Sequence, residues 1–546
     1  AFVSAFAVAK RFGLRRGFEL YDEEFGSDRA ERTAKETTDR ALAFLNGAAS
    51  GPLFVWVHYY DPHYPYTPPE PFRTRFADAP YRGEVASMDE QLGRLVAAFE
   101  KRGTSAIVVA ADHGEGLGEH GEQQHGNLMY QTTMHVPLAI VGPGFSATTS
   151  DTPVSTRRIF HTILDWAGID AAHSLRGANP EPVVVGEAMK PFLDYGWQPQ
   201  VMAVEGSLKT IMAGRLEVFD VATDPHEQRN LAKEANLSRE VRTTLRDYPL
   251  PSAKGAEPPP NLDEEAQRKL ASLGYVSSSA RPTVRADAPV PTDMASLFPI
   301  LDKASGLFVR EQYADAIPLL EQIRAKDPHN LDAALRLAVA HSALGHEQQA
   351  LAGFRAAESL APDSPDVRTY LALHYAKGRE WQRAEPMLVR IVADEPDRLP
   401  PLEALATIRE RQNRIEETVQ FRQKIYTMRA PSGAELAILG SMQMALGQTA
   451  PAIDSFEKAQ ALQGDAFRRH LELGVLYLAS QRFEQARAAL DRVPRNDPGY
   501  PMALFKRAQV SVLLHEPDAP ARIEAARAGA DATTRALIER EQLFQR

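Results

Sequence analysis

The sequence predicts an α/β domain with a mostly parallel sheet and a small antiparallel sheet at its carboxyl end, followed by an all-α repeat solenoid. Three observations carry this. Apolar runs of strand length alternate with helix-period segments through about residue 170. From Pro182 to Val221 the pattern changes to short runs between glycines or charged turns (PVVVGE, VMAVEG, LKTIMAG, RLEVFDV), as in an antiparallel meander. Beyond residue 296 the sequence repeats with a period of 34 residues. A chain of 546 residues is long enough for two or more domains. The expected ones are an α/β domain over 1–249, a Pro/Ala/Ser-rich linker over 250–296 and a solenoid over 297–546.

In chain order, Asp28 to Leu45 reads as a charged helix and Leu53 to Val57 as a buried strand. That strand runs into a Pro-broken aromatic loop, His58-Tyr59-Tyr60-Asp61-Pro62-His63-Tyr64-Pro65-Tyr66. Tyr81 to Lys101 carries Val85, Met88, Leu92, Leu95, Val96 and Phe99 at helical spacing, which predicts a helix packed on the sheet. Ile107 to Ala111 is a second apolar strand, and it turns polar at once into Asp112-His113-Gly114-Glu115. Val136 to Val141 reads as a third strand, Ile159 to Ala167 as an amphipathic helix, and Leu262 to Leu273 as a short helix within the linker.

In the repeat region Pro328, Pro362 and Pro396 are 34 residues apart, and Pro498 lies three periods further on. Small residues Ala304, Ala338, Ala372, Ala406, Gly440, Gly474 and Ala508 recur in the first helix of each unit. Ala316, Ala350, Ala384, Ala452 and Ala486 recur in the second, each followed four residues later by Leu320, Phe354, Leu388, Phe456 or Leu490. A small residue lets two helices approach, the large one fills the groove beside it, and proline ends the second helix. Repeat four places Thr418 and Arg422 at the alanine and aromatic positions, so looser packing is expected there.

Composition excludes some functions. A net charge of −10 without a long basic run argues against nucleic-acid binding. With no cysteine there is no disulfide framework, thiolate zinc site or cysteine nucleophile in these residues. No apolar run is long enough to span a membrane, so no membrane anchor is visible. The opening AFVSAFAVAKRFGLRRGFELYDEEF has neither an initiator Met nor a leader, and reads as the interior of a domain; a fragment is expected.

Chemistry concentrates in IVVAADHGEGLGEHGEQQHGN, residues 107–127. Ligands of an open α/β sheet bind beyond the carboxyl ends of its strands. An Asp-His pair at such an end offers a carboxylate oxygen and an imidazole nitrogen to one divalent cation. Asp61 and His63 end the preceding strand in the same way.

Five dispersed stretches together resemble the sulfatase branch of the alkaline-phosphatase superfamily: FVWVHYYDPHYPYTPP, YRGEVASMDEQLGRLVAAFEKRG, IVVAADHGEGLGEHG, HGNLMYQTTMHVPLAIVGPG and VFDVATDPHEQRNLA. The last holds the Asp-Pro-x-Glu-x-x-Asn-Leu signature, and the match runs over roughly Ala1 to Leu231. The 34-residue units resemble the tetratricopeptide repeat, in about six units plus a frayed last pair.

The first resemblance implies a metal-dependent sulfuric-ester hydrolase, with Asp112 and His113 as metal ligands. It implies that His63 and His125 are catalytic groups contacting the ester or leaving-group oxygen, whereas Asp61, His58 and His120 brace the loops. The implied cofactor is a divalent metal ion, calcium first, with magnesium, manganese or zinc as alternatives. The family's paired-Asp metal site and its Cys/Ser-x-Pro-x-Arg nucleophile motif do not occur in this chain, so the fragment is expected to be inactive as it stands. His113, where many sulfatases have Asn, leans toward phosphoester chemistry on the same fold. The expected partners are a sulfate- or phosphate-ester substrate and a protein or peptide on the solenoid; an inactive adaptor acting through the repeats is the alternative from another class. Family habit implies an exported, periplasmic or membrane-associated location.

Overall fold

The computed structural model describes residues 1–26, 29–48, 51–177, 182–250 and 284–545. They form two compact units, Ala1–Val367 and Arg368–Arg546. The linker helix expected at Leu262 to Leu273 lies outside the described residues.

In the first unit, β1 (Phe2–Val3) pairs in parallel with β2 (Val57–His58). β3 (Ile107–Ala110) pairs with β4 (Leu138–Val141), and here the mostly parallel expectation gives way, because this pair is antiparallel. The loop 111–137 folds back on the carboxyl end of β3, where the Ala111 amide reaches the Pro137 carbonyl at 3.4 Å, so β4 re-enters from that end and runs the opposite way. The strand expected at Leu53 to Val57 is also shorter. Leu53 is exposed, and Phe54, 63% exposed, stacks on Phe18 with ring centroids 5.7 Å apart.

The helices of this region are α1 (Ala34–Gly47), α2 (Phe72–Arg75), α3 (Pro80–Glu100), α4 (Gln131–Met134), α5 (Arg158–Trp166), α6 (Lys190–Tyr195) and α7 (Arg239–Arg246). α1 begins where Thr33 and Glu36 form a reciprocal capping box, later than the charged stretch alone implied. Its Ala41 and Leu45 share a core with Phe2 and with Leu95 of α3.

The antiparallel meander is as read: β5 (Val183–Ala188), β6 (Gln200–Glu205), β7 (Leu208–Met212) and β8 (Leu216–Asp220), in that spatial order. Its inner face does not stop at the α/β region. Trp197, Met202, Ile211 and Phe219 form one buried cluster with Phe298, Leu301, Leu320 and Ile323 of the first two repeat helices, Phe298–Val309 and Tyr313–Lys326. The segment 297–367, read from the sequence as solenoid, thus belongs to the first compact unit.

The repeat positions behave as their sizes require. Ala304, Ala316, Leu320, Ala338, Ala350 and Phe354 are buried in the first unit, and Ala372, Ala384, Leu388, Ala452, Phe456 and Ala486 in the second. A Cβ on Gly440 would lie 2.9 Å from the Phe456 ring, and one on Gly474 would lie 2.7 Å from Leu490. In repeat four Thr418 stays fully buried, its hydroxyl donating to the Arg414 carbonyl at 3.0 Å. Arg422 turns its guanidinium to Glu410 at 2.5 Å, so a polar contact stands where other repeats use an aromatic or aliphatic one. Among the described residues no helix is long and apolar enough to cross a membrane.

Candidate functional site

The loop after β3 is zipped onto the segment that follows it. The amides of Gly114, Gly116 and Gly118 donate to the carbonyls of Thr133, Gln124 and Glu122 at 2.8, 2.7 and 2.8 Å. The approach is too close for a side chain at two points: a Cβ on Gly114 would sit 2.2 Å from the Thr132 oxygen, and one on Gly116 2.8 Å from the Glu122 oxygen. Glu122 closes the inner turn by accepting the Asn127 and Leu128 amides at 2.7 and 3.2 Å. Burial pushes its carboxyl up to about 7 despite those bonds.

This folding brings residues far apart in the loop together. The rings of His113 and His125 stack with centroids 3.8 Å apart. His113 Nδ1 donates to the Gly114 carbonyl at 2.9 Å, which leaves Nε2 as the bare nitrogen of the neutral ring. His125 Nδ1 meets the Glu115 carboxylate at 3.0 Å, and the Tyr66 hydroxyl donates to the other Glu115 oxygen at 2.7 Å. Burial alone would raise the Glu115 carboxyl, but the hydrogen bonds from His125 and Tyr66 bring it below its ordinary value. One donor atom from each of His113, Glu115 and His125 lies within 4.8 Å of the others. Asp112 stands at the rim, its side chain 85% exposed, with Oδ1 3.7 Å from His113 Nε2.

His63 arrives from the loop after β2. Its ring stacks on Tyr60 at 4.1 Å and meets His125 edge-on at 5.8 Å. Nδ1 donates to the Tyr64 carbonyl at 2.7 Å, so Nε2, 2.8 Å from the Tyr60 hydroxyl, is the atom that gains and loses a proton. Burial holds this imidazole below its usual value, partly offset by the bond to Tyr64. Two carboxylates hold the loop in place. Asp61 accepts the Ala34 amide at the start of α1 at 2.5 Å, and Glu84 of α3 accepts the His63 and Thr67 amides at 3.1 and 2.6 Å.

The closing signature works as a clamp. Asn230 Oδ1 accepts the Val218 amide at 3.1 Å, and the Leu231 amide donates to the Val218 carbonyl at 2.7 Å, stitching the segment to β8. Glu227 forms a fully buried ion pair with Lys209 of β7 at 2.8 Å and accepts the Gln131 amide at the start of α4 at 2.5 Å. His120 stacks on Tyr130 at 3.6 Å and bonds the His226 carbonyl at 3.1 Å, a bracing contact. The signature therefore grips the far end of the loop that carries His113 and His125.

Of the four residues singled out in the sequence, His63, His113 and His125 meet in one ring cluster, with Asp112 beside it. Sequence reasoning passed over Glu115 and Tyr66. Glu115 lies two residues after His113 in a glycine-flanked turn, the one signal that could have marked it; nothing local ties Tyr66 to a residue 49 positions away.

Comparison with known proteins identifies the families of both parts of the chain. Residues 7–169 match the sulfatase family model, and residues 307–354 and 443–509 match the tetratricopeptide repeat. An uncharacterized sulfatase of Escherichia coli (strain K12) is 26% identical over 269 residues, covering 39% of this chain and 54% of that protein. The choline-sulfatase of Rhizobium meliloti (strain 1021) is 29% identical over 184 residues, 31% of this chain and 36% of that one. Arylsulfatase K of Bos taurus is 36% identical over 106 residues, 19% of each chain. The chain thus spans about half the length of the first of these relatives and less of the others. Residues 7–169 belong to the sulfatase family, and the helical array that follows is built of tetratricopeptide repeats.

Proposed function

We propose that this chain serves in the metal-dependent hydrolysis of a sulfate ester, with Asp112 and His113 as metal ligands and His63 as the group facing the leaving oxygen. The observation that carries the reading is the convergence of His63, His113, Glu115 and His125 on one point at the carboxyl ends of β2 and β3. Two imidazoles beside carboxylates form a donor set suited to a divalent cation. When bound, such an ion supplies Lewis-acid polarisation of a non-bridging ester oxygen. His63, with Nδ1–H fixed on the Tyr64 carbonyl, in its protonated form gives the Nε2 proton to the departing oxygen once the Tyr60 hydroxyl is displaced and so returns to the neutral ring. His125, expected as a second catalytic group, is assigned in this reading to the metal side, through its bond to Glu115 and its stacking on His113. The nucleophile is assigned to none of these residues, since the family's Cys/Ser-x-Pro-x-Arg motif does not occur among them.

The repeats supply a protein- or peptide-binding surface in the same proposal, as stacked helix pairs present a concave face. An exported location belongs to it as well, and cell fractionation tests that part.

The experiment is a side-by-side assay of nitrophenyl sulfate and nitrophenyl phosphate with the whole protein that contains these residues. Turnover of the sulfate that stops on chelation and in Asp112→Ala supports the reading. His63→Gln is expected to lower kcat about 100-fold, the usual cost of removing one such donor. Full activity after chelation overturns it. Phosphate turned over faster than sulfate establishes the second reading, a phosphoester hydrolase, which His113 in place of the Asn of many sulfatases favours.

A further inference from the structure

We propose that His113, Glu115 and His125 bind a transition-metal dication of the zinc, cobalt or manganese class in preference to calcium. The inference rests on the reading of this loop as the metal centre and adds the identity of the ion. Its first support is the donor set. Two imidazole nitrogens and one carboxylate oxygen lie within 4.8 Å of one another. Calcium takes six to eight oxygen ligands, whereas imidazole suits borderline ions. A tetrahedral zinc site with bonds of about 2.0–2.1 Å has ligand atoms about 3.3 Å apart, so the donor atoms are close to the required spacing, and the stacked His113 and His125 rings must turn out of parallel to aim both nitrogens at one ion.

Orientation is the second support. His113 is fixed by its Nδ1 bond to a backbone carbonyl, the outer contact that presents Nε2 to a metal. Glu115 is held by the Tyr66 hydroxyl on the oxygen that does not face His125. The backbone is constrained too, because no Cβ fits at Gly114 between His113 and Glu115. Three protein ligands leave a coordination position open, and Asp112, 3.7 Å from His113 Nε2, stands near enough to add an oxygen.

The test is titration of metal-free residues 1–546 with Co2+, followed by visible d–d absorption, then competition with Zn2+ and Ca2+. The exposed pair His341 and His346, whose Nδ1 atoms lie 3.1 Å apart, is a rival site for cobalt, so His341→Ala/His346→Ala serves as the background. Expected are bands of low-coordinate cobalt, displacement by zinc, and no displacement by an approximately 100-fold excess of calcium. Tyr66→Phe, which leaves all three ligands in place, is expected to weaken cobalt binding about 10-fold or more. Glu115→Gln checks the carboxylate without altering side-chain volume. Calcium displacing cobalt at comparable concentration overturns the inference and leaves the metal-centre reading standing. Cobalt bands unchanged in His113→Ala/His125→Ala overturn it as well. Absence of any bound ion, with the fold intact by circular dichroism, overturns the inference, whereas the metal-centre reading falls only if ester turnover by the whole protein survives chelation.

Discussion

The indole N–H of Trp197 donates to the carboxylate of Asp327 across 2.7 Å, and both side chains are buried. Trp197 stands at the corner before β6, and Asp327 at the end of the second repeat helix. Trp197→Phe keeps the aromatic packing but withdraws the donor, leaving Asp327 with the weaker contact from Asn330 at 3.2 Å. A hydrogen bond to a buried charged group contributes about 1.5–3 kcal/mol. Urea unfolding of the first unit, followed by its tryptophan and far-ultraviolet signals, should show a loss of that size.

The clamp built by the signature motif predicts a larger effect. Lys209 and Glu227 are 0% and 1% exposed, so removing one partner strands a charge in the interior. Lys209→Met should cost about 3–5 kcal/mol, and Lys209→Met/Glu227→Leu should recover much of it. Chemical denaturation of the three proteins side by side checks this. Equal stability of the single and double variants would show that the pair does not act as a unit.

Glu122 predicts a pH dependence. Its carboxyl is raised by burial to about 7, while in the unfolded chain it titrates near its ordinary value of 4.5. Between those values the folded state holds more protons than the unfolded one, so stability falls as pH rises through that window and is flat above it. Glu122→Gln keeps an oxygen for the Asn127 and Leu128 amides and carries no charge. Thermal melts from pH 5 to pH 8, relative to wild type, should show the variant gaining toward the alkaline end.

In the second unit Gly440→Ala tests the helix contact. The added methyl meets the Phe456 ring at 2.9 Å, and Phe456 is fully buried, so the ring or its helix must shift. Overpacking of this kind costs about 1–3 kcal/mol. Adding Phe456→Leu should return part of the loss, measured by denaturant midpoint.

Much of this architecture was legible in the residues, and the reasons differ by element. The repeat helices could be read because each unit solves one packing problem locally, with a small residue facing a large one such as Gly474 against Leu490. The meander from Val183 to Asp220 was legible because turn residues and alternation share one short window. The direction of β4 was not, since it depends on how residues 111–137 fold back, and apolar runs carry no sense of direction. The apolar run at Leu53 and Phe54 predicts burial, since composition does not reveal that Phe54 finds its partner, Phe18, on the outside. In the site, Asp112, His113, His63 and His125 stood out as a motif pattern. Glu115 became visible only when the glycine ladder brought it against His125, and Tyr66 only when the loop after β2 met it from another element.

The core shared by β5–β8 and the first repeat helices gives the array one fixed end. Stability in a repeat array is close to a sum of unit and neighbour terms. Gain or loss of a 34-residue unit beyond Val367 therefore alters the array's length while leaving the packing around Trp197 intact. Loss of the unit that begins at Phe298 removes the residues that close the sheet's inner face. Length variation in proteins of this design should accumulate on the carboxyl side of Val367, with the first two helices constant in size.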